Sequence, residues 1–185
     1  MSAASTPPDL ALPPGILPAR VIADFCAKGL IGLERPLDQD QVQPASLDLR
    51  LGPVAWRVRA SFLPGPKLRV EEKLKQLSLH EIDLRQGAVL ETGCVYIVKL
   101  MESLRLPKGV AAAANPKSST GRLDIFTRVI ADQAQEFDKV PEAYEGPLYA
   151  EISPRTFPIL ARQGSRLPQI RFRSGPSLAT DALIH

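Results

Sequence analysis

Apolar and polar residues alternate along several short segments of the chain, a two-residue period typical of β-strands with one buried face. In SLDLRL (46–51), leucines occupy every second position. In LYAEIS (148–153), apolar residues alternate with a face that includes Glu151. Further strands are predicted at 55–63, 94–100, 111–114 and 125–131, and on both sides of a turn at Gln163-Gly164.

One segment, LPARVIADFCAKGLI (17–31), has a helical spacing of apolar residues instead and predicts a short helix that stops at Gly29. The first half of 70–87 favours a second short helix, with a solvated linker as the alternative. Many short strands, frequent turns and one clear helix predict a mostly-β fold, either a barrel or a sandwich.

The composition agrees with one globular domain. The chain has 185 residues, of which 44% are hydrophobic and 23% are charged. Its 18 prolines suit short strands and turns better than long helices. Residues 1–15 are Pro-rich and predict a flexible arm without the charged leader and apolar core of a secretory signal. No apolar run approaches membrane-spanning length.

The residues that bind metals or form disulfides are few. Cys26 and Cys94 are far apart and no CxxC occurs, so we expect no disulfide framework and a reducing, cytoplasmic location. The histidines are His80 and His185, and the HxE…PCxxC signature of zinc-dependent nucleobase deaminases is absent. We therefore expect no zinc site. The net charge of +3 does not favour a general nucleic-acid surface.

A polar cluster in NPKSSTGRLDI (115–125) is the first candidate for chemistry. It places Lys117, Ser118, Ser119 and Arg122 within a few residues. Two cations, two hydroxyls and nearby backbone N–H groups are suited to hold an anion. The chain lacks GxxxxGK[ST], so this is not a P-loop. The alternative is an exposed polar turn before a strand, and composition alone favours that alternative.

Charged residues within the predicted strands are the second candidate. Glu151 lies between apolar neighbours, where strands disfavour glutamate. It is either a carboxylate on a solvent face, which the alternation favours, or a desolvated carboxylate suited to take a proton from water. Asp48 and Arg50 share the polar face of their strand, which favours a surface ion pair.

A series of motifs resembles, in the same order, those of the dCTP deaminases of the trimeric dUTPase-like superfamily. The motifs are QPASLDLRLG (43–52), LPKGV (106–110), KSSTGRLDI (117–125), AYEGPLYAEIS (143–153) and RQGSRLPQIRF (162–172). The resemblance covers roughly residues 16–173 and implies one dUTPase-like β-barrel of jelly-roll type. Residues 174–185 would then be a linker or a truncated tail.

The resemblance also implies an activity, the hydrolytic deamination of dCTP to dUTP and ammonia in pyrimidine deoxynucleotide synthesis. No metal acts at the base; Glu151 activates the water that attacks cytosine C4, and Ser118 and Arg122 line the site. Mg²⁺ accompanies the triphosphate, and active sites form between the subunits of a homotrimer. The residues implied to bind the nucleotide are Lys117, Ser118, Ser119, Arg122, Ile130, Ala131 and Gln169.

The chain departs from the family pattern at several positions. Lys117 replaces the usual arginine, and Thr120 and Asp124 replace the commoner leucine and glycine. The segment 132–147 is longer and more acidic than the family pattern. The segment that closes over the phosphates has no counterpart after Phe172, which predicts the first half of a tandem two-domain deaminase or a truncated one.

Two alternatives remain open at the level of sequence. A dUTPase shares the fold and the serine-rich motif, and Asp138 would then activate the water that hydrolyses dUTP to dUMP and pyrophosphate. Extra residues separate Asp138 from Tyr144, and no glycine precedes it as in the dUTPase motif. The second alternative is a catalytically incomplete nucleotide-binding half-domain.

Overall fold

The computed structural model describes residues 12–175, which form a mostly-β fold with short helices. The helices are α1 (Ala19–Ala27), α2 (Val70–Leu77) and α3 (Ser118–Arg122). The strands are β1 (Gly15–Ile16), β2 (Ile31–Leu33), β3 (Val42–Gln43), β4 (Ser46–Val58), β5 (Ser78–Asp83), β6 (Ala88–Leu90), β7 (Val95–Arg105), β8 (Val110–Pro116), β9 (Ile125–Ala131), β10 (Lys139–Val140), β11 (Glu145–Pro154), β12 (Ile159–Ala161) and β13 (Arg166–Ser174).

Several sequence predictions are confirmed by these elements. α1 stops before Gly29, which has a left-handed φ of +69°. The helix favoured in the first half of 70–87 is α2, and the predicted strands at 111–114 and 125–131 lie in β8 and β9. The arm predicted at 1–15 and the tail predicted at 174–185 lie largely outside the described residues. Of the arm and the tail, the described residues Gly15 and Ser174 pair with each other between β1 and β13.

Most of the strands form one antiparallel sheet whose main path runs β10-β8-β13-β4-β7-β11-β9. β6 and β12 form a separate pair. Asp138 directly precedes β10 at one end of this path, and its N–H donates to the Val129 carbonyl of β9 at the other end at 2.8 Å. Its carbonyl accepts from the N–H of Ala114 in β8, also at 2.8 Å. The sheet therefore curls into a barrel, as predicted.

The interior of the barrel holds the main apolar core. Leu47, Leu49 and Leu51 of β4 are completely buried in it. α1 covers one end, where Phe25 packs edge-on against Phe172 with ring centroids 6.2 Å apart. A smaller apolar cluster lies on the opposite face of β7 and β11 and includes α2: Val58, Val70, Leu74, Ile97, Ile130 and Tyr149. Glu151 shares the face of Tyr149, because alternate residues of a strand point the same way.

β4 differs from its prediction in length and in burial. It is one strand of 13 residues, so the separate strand predicted at 55–63 is the end of β4 and stops at Val58. Over 46–51 both faces are buried, whereas the alternation predicts a half-buried strand. The strand lies between β13 and β7 in the middle of the sheet, and other segments cover its polar face. Alternation predicts a strand but does not show what covers it.

Candidate active site

The polar turn at 117–122 forms a short helix, α3, directly after β8. Thr120 is buried, and its hydroxyl donates to the Leu167 carbonyl at 2.9 Å, which fastens α3 to β13. Ser118, Ser119 and Arg122 are exposed. Within residues 12–175, no side-chain hydrogen bond or ion pair engages these three residues. Two hydroxyls and one guanidinium are thus available to bind a ligand or another chain.

Lys117 precedes α3 and differs from its neighbours because it already has a partner. Its amine forms an ion pair with the carboxylate of Asp48, which has no exposed surface. Arg166 approaches the same carboxylate at 3.7 Å and binds Asp40 through two hydrogen bonds of 2.9 and 3.0 Å. The other Asp48 oxygen, Oδ1, is buried without a partner among the described residues. Lys117 therefore belongs to a charged network anchored on β4.

The surface ion pair expected between Asp48 and Arg50 is wrong. Arg50 is buried and its Nε donates to Glu102 at 2.8 Å, while its terminal nitrogens donate to the carbonyls of Arg35 and Pro36. The reason is that the segment before β3 covers this face of β4. Burial raises the pKa of Glu102 above its usual range, although the hydrogen bonds and charge of Arg50 oppose this shift.

Glu151 is a buried carboxylate in the middle of β11, so its interpretation as a solvent-facing residue is wrong. It lies between Ile97 of β7 and Arg128 of β9 in the sheet. The residue is only 1% exposed. Its Oε1 accepts hydrogen bonds from Arg128, at 3.2 Å from Nε and at 2.7 Å from a terminal nitrogen. Its Oε2 is buried and has no partner within residues 12–175.

Other residues hold Arg128 beside this carboxylate. The terminal nitrogen that binds Glu151 also donates to the hydroxyl of Ser61 at 2.8 Å. The guanidinium carbon lies 3.5 Å from the centre of the Phe137 ring, which is a close cation–π contact. Asp138 comes directly after Phe137 in the sequence, and its Oδ1 accepts a hydrogen bond from the Val129 N–H at 2.7 Å. Burial raises the pKa of Asp138, and the charge of Arg128 opposes this shift.

The other residues predicted to bind the nucleotide lie either near α3 or near the carboxylate of Glu151. Ile130 and Ala131 are buried in β9 and pair with β11 close to Glu151. Gln169 of β13 lies opposite Asp48 of β4, and its side-chain oxygen accepts from the hydroxyl of Ser46 at 3.3 Å.

The candidate site is therefore divided into two groups. We call Lys117, Ser118, Ser119, Arg122 and Gln169 the turn group, and Glu151, Ile130 and Ala131 the carboxylate group. In the described part of the chain, no side-chain hydrogen bond or ion pair joins the two groups. That Ser118 and Arg122 act together with Glu151 stays a prediction.

Arg128, Ser61 and Phe137 are parts of the site that sequence reasoning missed. The only available signal was the cation in IFTRVIA, which faces Glu151 only if the register between β9 and β11 is known. Among residues 12–175, no three His, Cys, Asp or Glu side chains are grouped closely enough to hold a metal ion. No helix in the same range is long and apolar enough to span a membrane.

Comparison with known proteins agrees with this fold and its motifs. The family described as the 2'-deoxycytidine 5'-triphosphate deaminase N-terminal domain matches residues 13–176. The chain therefore belongs to the dCTP deaminase N-terminal domain family.

Individual relatives carry the same description. A crystal structure of 2'-deoxycytidine 5'-triphosphate deaminase from Agrobacterium tumefaciens is 66% identical, with a TM-score of 0.87 over 91% of this chain. This chain covers only 50% of that one. The "dCTP deaminase, dUMP-forming" of Coprothermobacter proteolyticus is 27% identical, over 82% of this chain and 81% of that protein. The dCTP deaminase of Haemophilus influenzae is 28% identical, over 71% of this chain and 68% of that protein.

Proposed function

We propose that this protein deaminates dCTP to dUTP and ammonia, with Glu151 as the general base. The observation that carries the proposal is the buried Glu151 carboxylate, which is bound at Oε1 and has no partner at Oε2. Oε2 accepts a proton from water, and the hydroxide adds to C4 of cytosine. The proton then passes to the amino group, the C4–N bond breaks and ammonia leaves. The proton of the new C4 hydroxyl moves to N3, which gives the C4 carbonyl of uracil.

The turn group holds the triphosphate in this proposal. Ser118, Ser119 and Arg122 offer donors that the described residues leave free, and Lys117 adds a second cation. Charged and hydroxyl donors of this kind make strong hydrogen bonds to phosphate oxygens. Binding the triphosphate also orients the cytosine base. Its C4 atom is then held next to the water that attacks it, which lowers the entropic cost of the reaction.

The base lies along β9 in this proposal. The backbone groups of Ile130 and Ala131 contact it, and this is supported by the pairing of β9 with β11, which carries Glu151. Gln169 contributes from β13 beside the turn group. The cytosine is thereby oriented by backbone groups while the carboxylate provides the chemistry.

Mg²⁺ accompanies the triphosphate in this proposal. This ion prefers oxygen ligands and usually binds through substrate phosphates, so the triphosphate itself would hold it beside the turn group. When bound, the ion would neutralise phosphate charge. We assign no metal at the base, where Glu151 activates the water.

The assembly in this proposal is a homotrimer or a tandem-domain equivalent, with active sites shared between domains. Within residues 12–175, no side-chain bond joins the turn and carboxylate groups, which agrees with a site that two domains complete together. The Agrobacterium chain, about twice as long, supports the tandem form. We place the protein in the cytoplasm.

Product analysis after separate incubations with dCTP and with dUTP, each with Mg²⁺, tests the activity. Ammonia and dUTP in equal amounts support the proposal. Uracil nucleotide recovered as dUMP with pyrophosphate would show a bifunctional enzyme, and pyrophosphate from dUTP without ammonia from dCTP would show a dUTPase. Nucleotide binding without any product would support an incomplete half-domain and contradict the proposal.

The dUTPase alternative depends on Asp138, whose contacts support a structural role instead. Its backbone joins the two ends of the sheet, and Oδ1 is engaged by the Val129 N–H. Asp138 is thus tied to closing the barrel, which favours deamination as the main activity.

A further inference from the structure

We infer that Arg128 is a positioning residue for Glu151, which it orients through Oε1 so that Oε2 faces the reacting water. This inference rests on the proposed function, because it takes Glu151 to be the general base. It assigns a role to a residue that none of the family motifs includes.

The two oxygens of Glu151 are in different situations. Both contacts from Arg128, at 3.2 and 2.7 Å, are to Oε1. Oε2 is equally buried but has no partner within residues 12–175. A buried carboxylate oxygen without a hydrogen bond is costly, so a native structure that keeps one needs a reason. A water held for attack on the base provides that reason.

Arg128 is itself held in place from separate segments. Ser61, in the segment after β4, accepts a hydrogen bond of 2.8 Å. Phe137, in the segment before β10, stacks at 3.5 Å, and Phe126 lies 4.8 Å from the guanidinium on the same strand. A guanidinium fixed by a hydroxyl and by aromatic faces has one orientation, and the carboxylate bound to it therefore also has one.

The charge of Arg128 has a second effect. A buried carboxylate is ionised at low cost only when a cation is close. The charged groups that face Glu151 are Arg128 from β9 and Asp138 from the segment before β10, while its β7 neighbour Ile97 is apolar. Arg128 is thus the cation that pairs with the Glu151 carboxylate, at 2.7 Å.

The test compares the steady-state kinetics of full-chain variants. For Arg128→Gln we expect kcat for dCTP to fall about a hundredfold, as for a misplaced catalytic group, with KM nearly unchanged. Arg128→Lys should recover part of kcat, because it restores the charge but not the planar set of N–H donors of a guanidinium.

Arg155→Gln is the matched control. Arg155 is an exposed arginine that stacks on Phe126 at 5.0 Å and makes no bond to Glu151. We expect its kinetics to match those of the wild type. Ser61→Ala removes one support of Arg128 and should lower kcat several-fold with little effect on folding, so the inference stays testable if Arg128→Gln does not fold.

The outcomes separate the two proposals. If Glu151→Gln keeps full activity, the proposed role of Glu151 as the general base fails, and the role of Arg128 fails with it. If Glu151→Gln is inactive while Arg128→Gln keeps the kcat of the wild type, only the positioning role of Arg128 is overturned. If Arg128→Gln does not fold, unchanged kinetics in both Ser61→Ala and Arg128→Lys overturn that role instead.

Discussion

The amine of Lys117 forms an ion pair with the fully buried carboxylate of Asp48 and so ties the polar turn to the middle of the barrel. The side chain of Lys117 is 26% exposed, so it is also open to a ligand. One lysine therefore serves both the stability of the fold and the proposed binding of phosphate. Its replacement should change both properties.

Removing Lys117 should destabilise the fold. In Lys117→Ala, Arg166, at 3.7 Å, is the one cation that the buried Asp48 keeps among residues 12–175. Leaving one partner of a buried pair uncompensated costs about 3 kcal/mol in the free energy of unfolding. Lys117→Arg keeps the charge and should lose much less. Urea denaturation measures these values.

Lys139→Ala provides the control for this series. It removes a pair with Glu136 in which both side chains are more than 60% exposed. Such surface pairs contribute less than about 1 kcal/mol. An equal loss in Lys117→Ala and Lys139→Ala would contradict the structural role of Lys117.

Gly146 should not tolerate a larger side chain. A Cβ at this position would lie 2.7 Å from the hydroxyl of Tyr144. That hydroxyl is fixed, because it accepts from Asp132 N at 3.0 Å and donates to the Pro147 carbonyl at 2.6 Å. Gly146→Ala should cost about 1–3 kcal/mol of unfolding free energy, as other overpacked sites do.

A double-mutant cycle in thermal or urea unfolding tests this explanation. Tyr144→Phe removes the oxygen, so the double variant Tyr144→Phe/Gly146→Ala should lose less than the sum of the single losses. Gly121→Ala, where nothing lies within 4 Å of the added Cβ, should be neutral or stabilising. Simple additivity would show that Tyr144 is not what excludes a side chain at Gly146.

Stability should depend on pH through Glu102. Its folded pKa is raised above 4.5, mainly by burial, so the folded protein binds this proton more readily than the unfolded chain. The contribution of Glu102 is then fully present below about pH 4.5 and is lost as the pH rises through the folded pKa. The difference in unfolding free energy between the wild type and Glu102→Gln should therefore shrink as the pH rises above 4.5.

Urea denaturation of both proteins at a series of pH values from 4.5 upward checks the sign. A stability difference that widens as the pH rises would show that the charge of Arg50 outweighs the effect of burial at Glu102.

If the turn and carboxylate groups meet between chains, two inactive variants should complement each other. Glu151→Gln lacks the proposed general base, and Arg122→Ala lacks one residue of the turn group that is proposed to bind phosphate. In every mixed trimer that carries both variants, about one of the three sites joins the two intact groups. Co-expression with two different tags, tandem purification and an ammonia assay measure this. Purified mixed assemblies without activity would show that each site lies within one chain.

Much of the fold was predictable because alternation and turn residues are local signals. Residues 125–131 form β9 as the sequence predicts. The burial of Asp48 and Glu151 was not predictable, because it depends on segments far away in the chain that cover β4 and β11. Arg128 was missed for a similar reason, since its register opposite Glu151 follows from how the long segment 132–144 closes the barrel.

One departure from the family pattern now has a physical explanation. Asp124 replaces a commoner glycine and has a left-handed φ of +52°. Aspartate is among the few non-glycine residues that tolerate this conformation. Its carboxylate also accepts a hydrogen bond of 2.6 Å from the hydroxyl of Thr156. Position 124 therefore has a left-handed backbone conformation, and the hydrogen bond from Thr156 helps Asp124 to keep it.

The most direct test of the account is the rate of ammonia release from dCTP by the wild type, Glu151→Gln and Glu145→Gln. Glu145 begins the same strand but its side chain is 70% exposed, so it controls for loss of a charge on β11. General bases contribute about 10²- to 10⁴-fold to a rate, and we predict a loss of this size for Glu151→Gln alone. Ammonia release at the wild-type rate by Glu151→Gln would contradict the account.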